Sequence, residues 1–258
     1  MELTIGWLYP TLMSTYGDRG NVICLQQRCR WRNIKTAVTP LDRQSPASEF
    51  EQVDLIVGGG AQDRQQEIVM RDLRGAKAAA LRAQIEAGTP GVFTCGSPQL
   101  LGHYYEPALG QRIEGLGIFD MVSKHPGPDV PRCIGNVVFE LTAPLAQDLN
   151  GLPVVGFENH GGRTYLGDVQ PLGRVLTGYG NNGEDGTEGA LYRHAIATYA
   201  HGPLLPKNPS LADWLIHTAL QQKYQTTATL TKLNDSLAEK ARQAMFARLK
   251  LTSLLKSA

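Results

Sequence analysis

The sequence predicts an α/β fold, a doubly wound and mostly parallel sheet with flanking helices. Residues 53–57 (VDLIV) and 91–94 (GVFT) are short apolar runs of the kind found in strands that are buried on both faces. Residues 65–87, between them, are rich in Ala, Leu, Arg and Glu and are followed by Gly88, which is typical of a helix that ends in a glycine cap. This alternation of strand and helix favours a parallel sheet, and 258 residues suffice for one large domain.

The first fifty residues supply two more strands and one helix. Residues 3–9 and 34–38 have the apolar, β-branched composition of strands. A polar turn at residues 16–21 (YGDRGN) opens an amphipathic segment at residues 22–32, which predicts a helix. Residues 40–50 are expected to form a loop.

Beyond residue 95 the pattern changes. Residues 98–105 predict a further helix. Residues 111–199 contain short apolar runs broken by glycine and proline, which indicates several strands and loops. No internal repeat or low-complexity linker interrupts the chain, so one domain is expected.

The C-terminal part of the chain is helical in pattern. Residues 211–223 predict one helix, and residues 231–255 predict a second, charged and amphipathic helix. We therefore expect an α/β domain at residues 1–224 and a C-terminal helical extension at residues 225–258. Residues 231–255 could cap the domain or dock on a partner protein, and capping is the favoured role.

Composition argues against several classes of function. The formal net charge of +1 gives no reason to expect binding to nucleic acid or to an anionic membrane. The sequence contains no run of about 18 apolar residues, the length that a membrane span requires. The N-terminus also lacks the pattern of a secretory signal, so a cytoplasmic location is expected. The four cysteines form no Cys-x-x-Cys pair, so we expect no metal site and free thiols in a reducing compartment.

Cys95 follows the apolar run at residues 91–94 and precedes a helical pattern. The N-terminus of a helix offers unpaired N–H groups and partial positive charge, and both favour the thiolate form of a cysteine. Open α/β sheets also place their ligands at the carboxyl ends of strands. A free cysteine is more often a small buried hydrophobic residue, so this position alone leaves both interpretations open.

His201 also follows an apparent strand, at residues 197–199, and it is followed by Gly-Pro. An imidazole at this edge of the sheet could take a proton from a thiol and return it to a leaving group. A histidine that is merely hydrogen-bonded at a strand end would have the same sequence context. Residues 157–163 (FENHGGR) predict either a backbone-lined pocket or a tight polar turn.

Two longer motifs resemble the class I glutamine amidotransferases. Residues 94–102 (TCGSPQLLG) and 199–208 (YAHGPLLPKN) are similar to the cobyric-acid-synthase-like branch, and most of all to its glutaminase subunits of lipid II isoglutaminyl synthase. Supporting stretches are residues 16–21, 58–60, 114–118, 157–165 and 178–182. The resemblance runs from Ile5 to about Trp214, and it implies the flavodoxin-like fold of that class.

The resemblance implies the two catalytic residues and the groups that stabilise the intermediate. Cys95 would be the nucleophile that attacks the side-chain amide of L-glutamine, and His201 would be its base. Backbone N–H groups near Gly59 or Gly60, together with that of Gly96, would form the oxyanion hole.

Four further residues are expected to bind the substrate. Gln99 matches a glutamine that lines the pocket in the family. Arg132 occupies the place of an arginine that helps to bind glutamine, and a guanidinium suits the α-carboxylate because its planar fork binds carboxylates bidentately. Asn159 and His160, from the stretch at residues 157–163, complete the predicted set.

Three residues depart from the class I pattern. Phe93 and Ser97 stand where glycines usually flank the cysteine, which implies a different packing of this turn. Pro203 stands where most class I enzymes carry the glutamate that orients the histidine. Either a cysteine–histidine dyad suffices, or a carboxylate comes from elsewhere, from a partner subunit or, as a weaker internal candidate, from Glu158.

The chain carries no sequence pattern for activating an acceptor. No Gly-x-x-x-x-Gly-Lys-Ser/Thr loop for ATP is present, so no cofactor is expected in this chain. The resemblance implies a separate Mur-ligase-like, ATP-dependent subunit, MurT, that would bind ATP and Mg²⁺ and amidate D-glutamate in the lipid II stem peptide. Two alternatives stay open: an amidotransferase subunit for another carboxylate, such as a cobyrinic-acid-like acceptor, or a non-catalytic α/β binding module.

Overall fold

The computed structural model describes residues 1–226, 229–251 and 254. In chain order the strands are β1 (Glu2–Leu8), β2 (Lys35–Leu41), β3 (Leu55–Gly58), β4 (Gly91–Thr94), β5 (Tyr104–Glu106), β6 (Ile113–Glu114), β7 (Met121–Lys124), β8 (Cys133–Leu141), β9 (Val154–His160), β10 (Arg163–Leu166), β11 (Gly173–Thr177), β12 (Thr187–Glu188), β13 (Ala190–Tyr192) and β14 (Ala195–Thr198). The helices are α1 (Arg19–Arg30), α2 (Ala47–Phe50), α3 (Asp63–Asp72), α4 (Ala76–Glu86), α5 (Gly96–Leu101), α6 (Leu145–Asp148), α7 (Leu204–Lys207), α8 (Pro209–Tyr224) and α9 (Ser236–Arg248).

The main sheet has the strand order β13-β14-β4-β3-β1-β2. All of its pairings are parallel except the one between β13 and β14 at the edge. The sheet is therefore doubly wound and mostly parallel, as the sequence predicts. Because parallel strands share one direction, β1, β3, β4 and β14 all end at the same edge, where such sheets bind their ligands.

Apolar clusters cover both faces of this sheet. One cluster joins the sheet to α1 and α8, with Leu25 and Leu215 fully buried. The other joins the sheet to α4 and to the middle of the chain, with Leu81, Phe93 and Phe119 fully buried. Burying both faces of the central strands explains why their sequences are continuous apolar runs rather than alternating ones.

Two smaller four-stranded sheets are formed by the middle of the chain, as its broken apolar runs predict. Their strand orders are β10-β7-β5-β6 and β12-β11-β8-β9. The antiparallel pair β8 and β9 matches Cys133 with His160 and Ile134 with Asn159. This register brings the residue that precedes β8, Arg132, beside the end of β9.

The single helix predicted at residues 65–87 is wrong, because the structure has two helices there. α3 ends at Asp72 and α4 begins at Ala76. Gly75, between them, has φ of +55°, a conformation that side chains with a Cβ rarely adopt. The composition is helical on both sides of this glycine, so the pattern alone did not reveal the break.

Other element boundaries also differ from the sequence prediction. β2 continues through Pro40, which an edge strand tolerates because one of its sides lacks a hydrogen-bonding neighbour. The helix predicted at residues 98–105 ends at Leu101, and Tyr104 begins β5. Gly102 leaves the helical conformation between them, with ψ of −170°.

The C-terminal helix is shorter than the predicted 231–255. It begins at Ser236, after the Asn234 side chain accepts a hydrogen bond from the Ser236 N–H, and it ends at Arg248. Residues 252, 253 and 255 of the predicted helix lie outside the described residues, as do 227, 228 and 256–258 of the predicted extension. The division at 224/225 stays a prediction, although α8 does end at Tyr224 and Gln225 adopts a left-handed conformation.

The described helices include none that is both long enough and apolar enough to cross a membrane.

Candidate active site

Cys95 occupies a strained turn between β4 and α5. Its backbone has φ of 55° and ψ of −100°, a conformation that non-glycine residues rarely adopt. The Cys95 N–H donates to the Thr198 carbonyl at 2.8 Å, so the end of β14 holds this turn. A strained nucleophile at a strand-to-helix turn is a recurrent device for exposing a reactive atom at the top of an α/β sheet.

Phe93 and Ser97, which replace the usual glycines, pack around Gly58 at the end of the neighbouring strand β3. A Cβ at Gly58 would lie 2.6 Å from Ser97 Oγ and 3.0 Å from a ring carbon of Phe93. Phe93 is fully buried and packs edge-to-face on Phe119, with ring centroids 6.3 Å apart. Ser97 Oγ donates to the Gly59 carbonyl at 2.6 Å. The turn therefore keeps its shape through packing and a hydrogen bond, although it lacks the two usual glycines.

His201 lies beside Cys95 at the same edge of the sheet. A Cβ at Gly60 would lie 3.0 Å from His201 Cε1 and 3.4 Å from the Cys95 Cβ, so both side chains flank this glycine. The His201 backbone exchanges hydrogen bonds with Phe157, at 2.7 and 3.1 Å, and the Tyr16 ring contacts the imidazole edge-on. The fold thus brings together two side chains that are 106 positions apart in the chain.

Asp18 supplies the carboxylate that the local sequence around His201 lacks. His201 Nδ1 and Asp18 Oδ1 are 3.0 Å apart, and the Gly60 N–H donates to Asp18 Oδ2 at 2.7 Å. Asp18 is 2% exposed and His201 is fully buried. Because this carboxylate faces Nδ1, the imidazole directs Nε2 away from it, and Nε2 has no hydrogen-bond partner among the described residues.

The charges around His201 favour its protonated form. Burial by itself lowers the pKa of His201, but the negative charge of Cys95 and the hydrogen bond to Asp18 outweigh it and raise the pKa to about 10. His201 is therefore an imidazolium at neutral pH. Burial raises the pKa of Cys24 and of Cys29 to about 12, so these two thiols stay protonated at neutral pH.

A cavity of about 370 Å³ opens beside the sulfur of Cys95. It is lined by Thr15, Tyr16, Ala61, Gln62, Asp63, Gln66, Cys95, Gln99, Tyr105, Arg132, Asn159, His160, Gly161 and Gly162. The five side chains predicted as nucleophile or as substrate-binding groups other than glycines, Cys95, Gln99, Arg132, Asn159 and His160, are all in this lining. Its size suits a single amino acid.

Gln99 is held rigidly in the wall of the cavity. Its Oε1 accepts from Gln66 Nε2 at 2.8 Å, and its Nε2 donates to the Tyr199 hydroxyl at 3.0 Å. A Cβ at Gly162 would lie 2.6 Å from Gln99 Nε2. Glycine at this position is therefore required for the close approach, and residues 157–163 form a pocket wall as well as a turn between β9 and β10.

Arg132, the residue before β8, lines the cavity beside the end of β9. Its Nε donates to Asn159 Oδ1 and its Nη2 donates to the Asn159 carbonyl, both at 2.9 Å. Nη1 donates to no described residue, so part of the guanidinium fork is available to an anion. His160 stacks on Tyr199, with centroids 3.7 Å apart, and burial lowers its pKa, so it is a neutral wall of the pocket.

The predicted oxyanion donors differ in what they contact. The Gly60 N–H is occupied by Asp18. Gly96 is the first residue of α5, and a Cβ on it would lie 2.7 Å from the Ala61 nitrogen. Within the described chain, neither the Gly96 N–H nor the Ala61 N–H donates to an acceptor. Gly59 uses its carbonyl to accept from Ser97.

The sequence interpretation missed Asp18 as a partner of His201. Glu158, the internal candidate, accepts from the Tyr179 and Gly180 N–H groups and lies 3.5 Å from His160, not at His201. Asp18 belongs to the YGDRGN turn at residues 16–21, which follows the first strand and therefore emerges at the catalytic edge. The position of this turn directly after the first strand was the signal that could have identified Asp18. The described residues contain no group of three or more His, Cys, Asp or Glu side chains that could hold a metal ion.

Comparison with known families agrees with this geometry. Residues 4–209 match the CobB/CobQ-like glutamine amidotransferase domain. Because the match covers most of the chain, the protein belongs to this family and is a glutamine amidotransferase.

Within the family, the chain is similar over most of its length to two subunits of the same kind. The chain is 40% identical to the Staphylococcus aureus lipid II isoglutaminyl synthase subunit GatD, over 86% of each chain. It is 37% identical to the GatD subunit of Streptococcus pneumoniae, over 92% of this chain and 88% of that protein. Cobyric acid synthase of Pelotomaculum thermopropionicum is 32% identical over 78% of this chain but only 37% of its own length.

Solved structures share the fold at low sequence identity. The glutaminase domain of Trypanosoma brucei CTPS with bound acivicin superimposes with a TM-score of 0.58 at 12% identity, covering 89% of this chain and 96% of that one. A glutamine amidotransferase structure gives a TM-score of 0.54 at 17% identity, covering 83% of this chain and 98% of that one. These similarities confirm the predicted fold class.

Proposed function

We propose that this chain is the glutaminase subunit of a lipid II isoglutaminyl synthase. It hydrolyses L-glutamine to glutamate and ammonia and delivers the ammonia to a second subunit. The observation that carries the proposal is that Cys95, His201 and Asp18 lie together beside a cavity of amino-acid size. The chain that holds them is similar to GatD over most of its length.

The first half of the reaction forms a thioester. The Cys95 thiolate attacks the δ-carbon of glutamine, and the carbonyl electrons move to the oxygen. The N–H groups of Gly96 and Ala61, which have no acceptor among the described residues, would stabilise that oxyanion, and loss of one such donor typically costs about 3 kcal/mol. His201 gives its Nε2 proton to the amide nitrogen, the C–N bond breaks, and ammonia leaves.

The second half of the reaction restores the enzyme. Neutral His201 removes a proton from water, and the hydroxide adds to the γ-glutamyl thioester. The C–S bond then breaks, so that glutamate leaves and Cys95 is again a thiolate beside a protonated imidazole. Asp18 holds the imidazole in one orientation throughout and balances its positive charge, which makes it a positioning residue rather than a reacting group.

The acceptor reaction belongs to a partner. Free ammonia is mostly ammonium in neutral water and is then a poor nucleophile, so it must pass directly to an activated acceptor. We infer a Mur-ligase-like MurT subunit that binds ATP and Mg²⁺ in the cytoplasm and amidates the D-glutamate α-carboxyl of the stem peptide. The similarity to two GatD subunits supports this acceptor over a cobyrinic-acid-like one, because the cobyric acid synthase match covers little more than a third of that enzyme.

Reconstitution tests the proposal. The chain is combined with its Mur-ligase-like partner, ATP, Mg²⁺, lipid II and glutamine labelled with ¹⁵N in the amide. We expect ¹⁵N in the D-isoglutamine of the product, and no incorporation from glutamine when Cys95→Ala is used. That variant should still support amidation from added ammonium, because the partner is intact. Absence of ¹⁵N from the D-isoglutamine, or ¹⁵N found only in a different acceptor, would contradict the proposal.

A further inference from the structure

Two opposite charges face the cavity beside Cys95. Apart from the nucleophile, Asp63 and Arg132 are the charged side chains in its lining, since burial keeps His160 neutral. The remaining lining groups are uncharged polar or small. A pocket with one carboxylate and one guanidinium is complementary to a ligand that carries one charge of each sign.

The two charges lie close enough to act on the same side chain. Burial lowers the pKa of His125, the charge of Asp63 raises it, and the charge of Arg132 lowers it. The carboxylate of Asp63 is held in place by the Tyr105 hydroxyl, which donates to Oδ1 at 3.1 Å, and Tyr105 is 3% exposed. The Asp63 and Arg132 side chains thus both line the cavity and both act on His125.

Asp63 has no cationic partner in the part of the chain that the structure describes. Other partly buried carboxylates of the protein, such as Asp72 and Asp213, form ion pairs at 2.6 to 2.8 Å. Asp63 is the first residue of α3, where the helix N-terminus favours a carboxylate, so the side chain does not need an ion pair within the chain. Asp63 Oδ2 accepts from no described residue, so one of its oxygens is available to a donor.

We propose that Asp63 binds the α-ammonium group of the substrate and restricts the site to amides of α-amino acids. This inference rests on the proposed glutaminase function. Glutamine has an α-carboxylate and an α-ammonium group on the same carbon, so Arg132 and Asp63 contact the two halves of one zwitterion. Cys95 then meets the amide at the other end of the side chain.

Glutaramate, which is glutamine without its α-ammonium group, tests the proposal directly. The values of kcat/KM for glutamine and for glutaramate are measured for the full chain with its partner, in the wild type and in Asp63→Asn. We expect the variant to lose about 10- to 100-fold on glutamine, the value of one hydrogen bond to a charged group, and to keep or improve its activity on glutaramate. The wild-type preference for glutamine would then largely disappear.

A matched control is available on the same helix. Glu67 lies one turn further along α3, does not line the cavity, and has its carboxylate 3.7 Å from Arg71. Glu67→Gln removes the same charge and should leave both substrates unchanged. Thermal melting of each variant confirms folding.

Two results would overturn the proposal. Asp63→Asn could lower the activity on both substrates equally, which would indicate a structural role, or it could leave the preference for glutamine intact. A wild-type complex that hydrolyses neither substrate would instead contradict the proposed function. In that event the affinity of Cys95→Ala for glutamine, with and without Asp63→Asn, still tests the contact.

Discussion

At the scale of single residues, the site depends on one carboxylate that performs two tasks. Asp18 fixes the imidazole of His201 through one oxygen and the Gly60 N–H through the other. Asp18 thereby links His201 to residues 58–60, which pack against the turn that carries Cys95. In most class I enzymes the orienting acid stands two residues after the histidine, where this chain has Pro203; here it comes from the turn after β1.

Replacing Asp18 by asparagine should affect both rate and pH dependence. His201 must be protonated to release ammonia, so kcat/KM should fall as pH rises through the His201 pKa of about 10. In Asp18→Asn the carboxylate no longer raises that pKa, so this alkaline limb should move to lower pH. The rate at pH 8 should fall on the order of 100-fold. A pH–rate profile of glutamine hydrolysis measures both effects.

The control for this variant is its substrate affinity. Asp18 does not line the cavity, so KM for glutamine should change little while kcat falls. An unchanged alkaline limb in Asp18→Asn would show that the carboxylate does not act on His201.

The sequence predicted the residues of this site unequally. Cys95 and His201 could be found because each ends a strand within a distinctive motif, and parallel strands end at one edge. Asp18 is 183 positions from His201, and nothing in the spacing shows which of the many carboxylates meets the imidazole. Asp63 was missed because its proposed role depends on sharing a cavity with Arg132 and Cys95. Only the packing of α3 against the middle of the chain brings these residues together.

At the scale of elements, a buried arginine joins three segments. Arg28 on α1 is 4% exposed and binds Asp213 on α8 and Asp235 at the start of α9, each at 2.6 Å. Arg32, just beyond α1, also binds Asp213. These contacts hold α1 in register with the C-terminal helices, and α1 follows directly on the turn that carries Asp18.

Loss of Arg28 should destabilise the protein substantially. Arg28→Met leaves Asp235 without its counter-ion and leaves Asp213 paired with Arg32 alone, and removing one partner of a buried ion pair costs about 3 to 5 kcal/mol. Because Asp235 is partly exposed, we expect about 2 to 3 kcal/mol, measured by urea unfolding. Arg30→Met, at an exposed position of the same helix, should cost less than about 0.5 kcal/mol. Equal losses in the two variants would contradict a structural role for the network.

Element prediction succeeded where burial dictates the pattern. The run at residues 91–94 is buried on both faces, and its predicted bounds match β4. It failed at Gly75, where the backbone conformation of one residue ends α3 and starts α4, because the segments on both sides have a helical composition. It also failed at Pro40, since the edge position of β2 depends on the whole sheet order.

At the scale of the whole molecule, the C-terminal segment closes an apolar surface of the catalytic domain. Phe246 on α9 is 2% exposed and packs on Val138 of β8 and Val155 of β9. These two strands also present Arg132 and Asn159 to the cavity at their other end. The role of the extension as a cap stays a prediction.

A pair of substitutions on α9 tests this role. Phe246→Ala removes a buried aromatic ring and should lower the free energy of unfolding by about 3 kcal/mol. Leu237→Ala, at a position that is 81% exposed, should change it by less than about 0.5 kcal/mol. Neither residue lines the cavity, so KM for glutamine should stay the same in both. A loss of amidation without loss of stability in Phe246→Ala would instead assign α9 to partner docking.

Covalent labelling measures the central claim, that Cys95 attacks glutamine in a cavity that admits it. The full chain is treated at neutral pH with the glutamine-like electrophile diazo-oxo-norleucine, with and without excess glutamine, and the modified peptide is mapped by mass spectrometry. We predict one label, on Cys95, with parallel loss of glutaminase activity and protection by glutamine, while Cys24 and Cys29 stay unmodified because burial raises the pKa of their thiols to about 12. A label on another cysteine that abolishes activity, or glutamine hydrolysis that survives complete modification of Cys95, would contradict the account.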